Sequence, residues 1–213
     1  MNTLIGIDFS CNKPAACILL NNTYHFLAWP LELDDKSTQI LRESNITITN
    51  RVRMPEGTNS SEKIRIHISM AKFLAHQMLF DIKDIIGGYG AMIGIEGSSF
   101  GSKGDAGLQL AGYRYILMDY LDEIFNLENI FTYAPLTIKS IAGCASKANK
   151  GKNCMIEAFK NENINHLLCK NLRENPEILK KKTNYLPTID DCIDSYWILK
   201  TLIIKEKIEV HEF

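Results

Sequence analysis

Three short apolar stretches, separated by polar and turn-forming residues, begin the chain. Residues 3–9 and 15–20 are nearly continuous apolar runs, and Asn21-Asn22 leads into a third run at residues 24–29. Apolar runs of this length that are bounded by turn residues are typical of strands, and a short polar connection favours a hairpin. The pattern therefore predicts an antiparallel sheet of three strands at the N-terminal end.

From Ser60 onward the spacing of the apolar positions changes. Apolar residues recur every three or four positions from Ile64 to Ile82, which predicts a long amphipathic helix, and a serine of Ser60-Ser61-Glu62 is expected to cap it. Residues 91–95 form a short apolar run typical of a strand covered on both faces, and Glu96 ends it. Hairpin strands followed by alternating helices and strands predict an α/β fold, in which a mixed sheet carries helices on both faces. The remaining pattern predicts a strand at residues 130–133 and helices at residues 107–125, 155–159, 164–172 and 188–207.

Residues 30–59 do not follow either spacing. They include the acidic pair Asp34-Asp35 and a strand-like segment at residues 46–54. A chain of 213 residues is long enough for one well-packed domain and does not require a second. We therefore expect residues 1–213 to form one domain, with residues 30–59 as an excursion from it or an insertion into it.

The composition is that of an ordinary globular protein, with 46% hydrophobic and 23% charged residues. No apolar stretch approaches the roughly 20 residues that span a bilayer. The N-terminus runs directly into a predicted strand and shows no signal-peptide pattern. These features predict a cytoplasmic or nucleoid-associated location.

The six cysteines show no spacing typical of a structural zinc site, because no two of them are separated by two residues. Several lie in apolar surroundings. Buried, reduced thiols are the simplest interpretation.

Charge is distributed unevenly along the chain. The net charge of −1 argues against binding of nucleic acid by bulk attraction. Residues 137–182, however, contain ten lysines and arginines against four glutamates, a local net charge of +6. A basic segment of this kind can hold a phosphate backbone even on a nearly neutral protein.

Four carboxylates stand at positions that packing does not easily explain. Asp8 follows the apolar run at residues 4–7, Glu96 ends the run at residues 91–95, and Asp191 and Asp194 share one face of the last predicted helix. A charge at the end of a buried strand is costly unless it is paired or bound to a metal. Carboxylate oxygens are hard ligands that suit Mg²⁺ or Mn²⁺ rather than zinc. Two such ions about 4 Å apart activate a water and stabilise the leaving oxygen of a phosphodiester.

Each acid also has a purely structural interpretation. Asp8 could cap the turn after its strand, and backbone amides could satisfy Glu96 at a sheet edge. The helix dipole favours an acid-rich first turn, which accounts for Asp190 and leaves it in reserve as a ligand. The helix face of Asp194 continues into apolar residues toward the core, which favours metal binding for Asp194 together with Asp191.

The order of these acids resembles that of a known family. An Asp in the first strand, a Glu at the end of the fourth predicted strand and a D-x-x-D motif on the last helix resemble the ribonuclease-H-like nucleases, and most closely the RuvC-type Holliday-junction resolvases. Residues 108–114 resemble the family's helix after the Glu, and residues 135–147 are similar to its P-x-x-x-K segment and basic loop. The family's usual P-G after the first Asp is replaced by Phe9-Ser10, and Cys192-Ile193 replaces a small pair between the last two acids. These departures fit a divergent viral or phage member, for which the expected location is the host cytoplasm.

The resemblance implies a ribonuclease-H-like mixed sheet of five strands, three antiparallel and then parallel strands, with helices on both faces. It implies an endonuclease that cleaves branched DNA by two-metal hydrolysis, with two Mg²⁺ ions per active site and Mn²⁺ able to substitute. Because a symmetric junction needs two cuts, it also implies a homodimer. By the same resemblance, the catalytic metal ligands are Asp8, Glu96, Asp191 and Asp194, and the DNA contacts include Arg114, Lys139, Lys147, Lys150 and Lys152.

The glycine-rich loop at residues 97–104 superficially resembles a phosphate-binding loop but fails its spacing, because Gly104 follows Lys103 where a hydroxyl residue is required. Beside Glu96, this loop could instead approach a DNA strand closely. We therefore add Lys103 and Phe100 to the predicted DNA contacts, with Phe100 stacked on an unpaired base. Packing of Phe100 into the core is the alternative.

Two other classes of function remain open from the sequence. Residues 6–10 followed by a hairpin also resemble the first phosphate-binding turn of actin-like kinases, although two such lobes need a longer chain. A catalytically silent module on the same fold would keep the basic segment and bind branched DNA without cutting it. Stabilisation by ATP would indicate the first class, and junction binding without cleavage in Mg²⁺ or Mn²⁺ the second.

Overall fold

The computed structural model describes residues 3–53, 57–88, 90–97, 105–145 and 152–210, and for residues 105–109 and 152 it describes the backbone alone. The elements of this part of the chain are β1 (Thr3–Asp8), β2 (Ala15–Leu20), β3 (Thr23–Ala28), α1 (Asp35–Glu43), β4 (Ile46–Ile48), α2 (Ser60–Ile86), β5 (Ala91–Glu96), α3 (Asp105–Phe125), β6 (Ile130–Tyr133), α4 (Pro135–Ile141), α5 (Lys152–Lys160), α6 (Leu167–Glu174), β7 (Lys180–Lys181), β8 (Asn184–Tyr185) and α7 (Ile189–Lys205).

One mixed sheet contains six of these strands in the order β4-β3-β2-β1-β5-β6. β1, β2 and β3 form an antiparallel meander. The other three strands join it in parallel, β4 beside β3, β5 beside β1 and β6 beside β5. β1 therefore lies inside the sheet, with an antiparallel neighbour on one side and a parallel neighbour on the other.

The central strands are buried on both faces. Ile5 and Ile7 of β1 pack with α2 and α3 on one face, as do Ile93 and Ile95 of β5. Leu4 belongs to the opposite layer, which contains α7. Strands covered on both faces read as continuous apolar runs, which explains the sequence pattern of β1 and β5. Among the described residues, no helix combines the length and the apolar character that a membrane span requires.

A glycine in β1 allows α7 to pass close to the sheet. A Cβ atom built on Gly6 would lie 2.2 Å from the carbonyl oxygen of Ser195 and 2.4 Å from the backbone nitrogen of Leu199. Gly94 is opposite Gly6 in the register and would bring a Cβ to 3.2 Å from Ile198 Cγ2. The paired glycines thus form the surface on which α7 rests.

The mixed sheet with helices on both faces is confirmed, but it has six strands rather than five. The additional strand is β4, which pairs with the outer edge of β3. Of the described residues 46–53 in the predicted strand-like segment at residues 46–54, residues 46–48 form it. Residues 30–59 therefore contribute an edge strand and a helix, α1, to the layers around the sheet.

The long helix α2 is confirmed, with two corrections. Asn59 rather than a serine caps it, because Asn59 Oδ1 accepts a hydrogen bond from the backbone N–H of Glu62 at 3.0 Å. Ile64 and Ile68 are 60% and 45% exposed, and the buried stripe begins only at Ala71. With 27 residues, α2 is roughly 40 Å long, about twice the length of a strand in this sheet, so its first turns extend past the packed layers.

The expectation of reduced thiols is wrong for two of the six cysteines. Cys144 and Cys154 form a disulfide bond, while the other four cysteines are free thiols. Ten positions separate the pair along the chain. The chain after α4 and the first turn of α5 bring the two sulfur atoms together, which the spacing in the sequence does not reveal.

Candidate active site

The parallel pairing of β1 and β5 brings two distant carboxylates together. Ile7 is opposite Ile95 in the register, so the next residues, Asp8 and Glu96, follow at the same level. Neighbouring strands in a sheet lie about 4.8 Å apart. Asp8 and Glu96 are therefore adjacent at the carboxyl edge of the sheet.

Both carboxylates are directed to the face that α7 covers. Side chains alternate between the two faces of a strand, and Ile7 belongs to the layer of α2 and α3. Gly6, which shares the face of Asp8, lies against Ser195 of α7. Asp191 precedes Ser195 by one helical turn.

The surroundings of Cys192 place the first turn of α7 beside β1. The Cys192 thiol is fully buried, and burial raises its pKa well above the ordinary value. The carboxylates of Asp191, Asp190 and Asp8 raise this pKa further, so the negative charge of Asp8 acts on Cys192, a residue of α7. Asp191 is buried and Asp194 is half-buried. Three segments of the chain thus bring acids to one end of the sheet.

Two cations influence Glu96. Burial raises the pKa of Glu96, and the positive charges of Arg114 and Lys139 partly oppose that rise. Arg114 interacts with Asp8 as well as with Glu96. The two acids at the strand ends therefore share a cationic neighbour.

The step from β6 into α4 positions Lys139 near Glu96. Glu96 is paired with Tyr133, the last residue of β6. Pro135 then begins α4, where the fixed φ of proline suits the first helical turn. Lys139 follows one turn later and is exposed. An exposed cation beside the acids is well placed to contact a phosphate group.

The predicted DNA contacts fall into three groups. Lys139 is exposed on α4, whereas Arg114 is only 7% exposed on α3. Lys152 begins α5, and its side chain is outside the described part of the chain. The remaining candidates, Phe100, Lys103, Lys147 and Lys150, lie outside the described residues.

The chemistry of the acids fits a hard divalent cation, because carboxylates supply oxygen ligands only. Within the part of the chain that the structure describes, no three Asp, Glu, His or Cys side chains converge closely enough to hold a metal ion. The ligand set of Asp8, Glu96, Asp191 and Asp194 stays a prediction.

Sequence reasoning missed three features of this site. Gly6 was not singled out, although a glycine within an apolar strand can mark a close backbone approach. Thr188 precedes α7 at a φ of 91°, a backbone conformation that is strained for a β-branched residue and that nothing in the sequence indicates. The motif predicts Arg114 as a DNA contact, whereas its burial depends on which face α3 turns to the sheet.

The chain matches no profile of a known protein family, and no curated protein sequence matches it. Two solved structures that resemble it are those of RuvC from Thermus thermophilus, the type of protein that its motif order resembles. The RuvC structure is 8% identical in sequence and gives a TM-score of 0.44, with 96% of each chain covered. RuvC in complex with a Holliday junction substrate is 10% identical and gives a TM-score of 0.47, with 98% of this chain and 96% of the other covered.

Proposed function

We propose that this protein is a metal-dependent endonuclease that cleaves phosphodiester bonds in branched DNA, with four-way junctions of recombination and repair as its substrate. Asp8, Glu96, Asp191 and Asp194 are its metal ligands, and they hold two Mg²⁺ ions, for which Mn²⁺ can substitute.

One observation carries the proposal. The register of β1 against β5 places Asp8 and Glu96 side by side, and α7 brings its acids to the same end of the sheet. Such a concentration of carboxylates repels itself unless cations compensate it. Acids at two neighbouring strand ends and on the helix that covers them would supply the oxygen ligands that a pair of divalent cations uses.

In this proposal the acids hold the metal ions, and the basic residues bind the DNA. Bound divalent cations would supply the activation of water and the stabilisation of the leaving oxygen. Lys139 lies beside Glu96 and is exposed, so it can bind a phosphate next to the acids. Lys147, Lys150 and Lys152 belong to the basic segment and would hold the DNA backbone, while Lys103 and Phe100 follow Glu96 in the chain and would contact the branch.

A four-way junction is cut on two strands, which calls for two active sites. We therefore include a homodimer in the proposal, with each copy of the chain cutting one strand. Paired nicks at symmetric positions, produced within the lifetime of one complex, are the signature of this arrangement.

The test compares labelled four-way junctions, flaps, forks, DNA–RNA hybrids and linear duplexes in Mg²⁺, Mn²⁺ and chelator. We expect metal-dependent, paired cleavage of the four-way junction and no cleavage in chelator. Asp8→Asn and Asp194→Asn should each reduce the rate by at least about a hundredfold, because each removes a charge at the reacting centre. Asp84→Asn is the matched control, since Asp84 is an exposed acid near the end of α2, where the chain leads into the amino end of β5.

Three outcomes would contradict the proposal. Cleavage that survives both substitutions while junction binding is unchanged would remove the acids from the chemistry. Junction binding without cleavage in either metal would assign the chain to the silent binding modules. Stabilisation by ATP without junction binding would favour a kinase.

A further inference from the structure

One disulfide bond joins the end of α4 to the beginning of α5. Cys144 follows α4 and is 3% exposed, whereas Cys154 lies in the first turn of α5 and is half-buried. Their sulfur atoms are bonded, and their Cα atoms are 5.9 Å apart. Because α4 carries Lys139, the bond acts on a helix that the proposed function assigns to DNA binding.

On the α4 side, the cysteine of the bond is part of the helix terminus. Gly143 has a φ of 73°, and its N–H donates to the carbonyl oxygen of Ser140 at 3.1 Å. The N–H of Cys144 donates to the carbonyl oxygen of Lys139 at 2.7 Å. These two bonds form a Schellman motif, in which a left-handed residue reverses the chain after a helix. The residue that forms the disulfide therefore also holds the backbone of Lys139.

On the α5 side, the bond is anchored to α7. Met155 follows Cys154, and its carbonyl oxygen accepts a hydrogen bond from Trp197 Nε1 at 3.1 Å. Both Met155 and Trp197 are buried. Trp197 lies three positions after Asp194 on α7, which is about one helical turn. The bond thus connects the helix of Lys139 to the helix that carries two of the proposed metal ligands.

α4 depends on such anchors because it is short. It has seven residues, and helices of this length have little stability of their own in water. Within α4 only Ile138 is buried, and Leu136 is 66% exposed. Loss of the bond would therefore leave α4 less firmly held.

The cysteines are not equally open to thiol–disulfide exchange. Cys17, Cys169 and Cys192 are free thiols without exposed surface, and burial raises the pKa of each. Burial also raises the pKa of Cys11, the fourth free thiol. A raised pKa leaves less of the reactive thiolate. Cys154, by contrast, is partly exposed, so a thiolate from solution can reach the bond there.

We propose that the Cys144–Cys154 bond is a redox-sensitive link: when formed, it holds α4 in the position that binds DNA, and when reduced, it releases α4. The oxidised protein therefore binds a branched DNA more tightly than the reduced protein does. This inference rests on the proposed function, because it takes Lys139 as a phosphate contact.

The reaction is exchange with a low-molecular-weight thiol such as glutathione. A reductant thiolate attacks the sulfur of Cys154 and forms a mixed disulfide, and Cys144 leaves and takes up the proton that the reductant lost. A second reductant thiolate attacks the reductant sulfur of the mixed disulfide, so Cys154 leaves as a thiol and the reductant is released as its own disulfide. Two electrons thus pass from the reductant to the protein. The Sγ atom of Cys144 lies 3.5 Å from the carbonyl oxygen of Ala142, so the new thiol has an acceptor in place.

The first experiment needs neither metal nor DNA. Tagging of thiols in the denatured protein should count four before reduction and six after it. Hydrogen exchange of the Gly143 and Cys144 amides should become at least about fivefold faster on reduction, because the link no longer supports the helix terminus. Cys144→Ser/Cys154→Ser should exchange rapidly in both conditions, and Cys11→Ser, the matched control, should respond as the natural protein does. Six thiols before reduction, or exchange that reduction does not alter, would overturn the proposal.

The second experiment measures binding of a four-way junction in chelator, so that no strand is cut. Reduction should weaken binding about tenfold for the natural protein and for Cys11→Ser. Cys144→Ser/Cys154→Ser should bind with the weaker affinity in both conditions. Equal affinities of the oxidised and the reduced natural protein would overturn the proposal.

Thermodynamic linkage gives a second measure of the same coupling. If the disulfide form binds the junction about tenfold more tightly, the junction must favour the disulfide over the dithiol by the same factor. Because tenfold corresponds to about 30 mV for a two-electron couple, a saturating junction should shift the midpoint of a glutathione titration by about 30 mV toward more reducing potentials. An unshifted midpoint would contradict the link. If neither redox form binds a junction, the proposed function fails, and the thiol count and hydrogen exchange still decide whether the bond holds α4.

Discussion

Burial sets the protonation state of one histidine. His166 is 6% exposed and caps α6, where its Nδ1 accepts a hydrogen bond from the backbone N–H of Leu168 at 3.1 Å. Burial lowers the pKa of His166 from 6.5 to about 4, with a partly opposing contribution from Asn45 and a reinforcing one from His25. The folded protein therefore keeps His166 neutral at pH values where the unfolded chain binds a proton.

This difference makes the stability of the protein depend on pH. A group whose pKa is lowered by folding contributes stability above its unfolded pKa, here 6.5, and that stability is lost as the pH falls toward about 4. Asparagine caps helices without titrating. Between pH 6.5 and about pH 5, the unfolding free energy of the natural protein should fall by on the order of 2 kcal/mol more than that of His166→Asn. Urea unfolding at several pH values measures the unfolding free energy of the natural protein and of His166→Asn. Identical pH profiles for the two proteins would contradict the prediction.

At this scale the sequence identifies charges but not their environments. Asp8 and Glu96 stand out because each ends an apolar run. Arg114 and His166 are not marked in this way in the sequence, and only tertiary packing shows that they are buried. The sequence thus gives the chemical type of a residue, whereas its burial and its neighbours require the tertiary structure.

Among the elements, α7 depends most on a single backbone position. An alanine at Gly6 would place its Cβ 2.2 Å from Ser195 O and 2.4 Å from Leu199 N, both of them backbone atoms that cannot rotate away. Gly6→Ala should therefore lower the unfolding free energy by about 3 kcal/mol or more. It should also lower metal-dependent cleavage, because α7 carries Asp191 and Asp194.

Gly112→Ala is the matched control for this substitution. Gly112 lies within α3, and a Cβ there meets no atom within 4 Å. Replacement by alanine in a helix should raise the unfolding free energy by up to about 1 kcal/mol. Denaturant unfolding of both variants measures the contrast, and a Gly6→Ala protein as stable as the natural one would show that α7 does not rest on this strand.

Most elements were predictable because their apolar periods are long and regular. The strands β1, β2 and β5 and the helices α2 and α7 appear within a few residues of their predicted bounds. β4 lies within the predicted strand-like segment at residues 46–54, but its three residues are too few for a period to show where the strand ends. The bond between Cys144 and Cys154 depends on how the chain after α4 meets α5, which no local pattern encodes.

For the whole molecule, the order of strands assembles a site that no single segment contains. β1 and β5 are far apart in the sequence, and five elements intervene: β2, β3, α1, β4 and α2. Sequence reasoning placed Asp8 and Glu96 together through a resemblance of motif order, and the parallel register now supplies the physical reason. The metal ligands and the DNA contacts stay predictions, because they depend on metal ions and on DNA, which are not part of the protein chain.

Charge at the scale of the whole molecule leads to a final prediction. The chain has a net charge of −1, so bulk attraction does not favour DNA, and the proposed binding of DNA would depend on specific lysines. Each phosphate contact that is lost should reduce the slope of log K against log salt by about 0.9 on duplex arms. The double variant Lys147→Gln/Lys150→Gln should therefore reduce the slope by about 1.8 in titrations of a four-way junction.

The matched control removes two lysines that already have carboxylate partners. Lys180 forms an ion pair with Glu177 at 2.8 Å, and Lys181 forms one with Asp34 at 3.3 Å. Lys180→Gln/Lys181→Gln changes the net charge by the same amount but should leave the salt slope nearly unaltered. The carboxylate partners of these two lysines already offset their charge, which weakens their attraction for a phosphate. Equal effects of the two double variants would mean that net charge, rather than a defined basic surface, governs binding, and the predicted contacts of Lys147 and Lys150 would then fail.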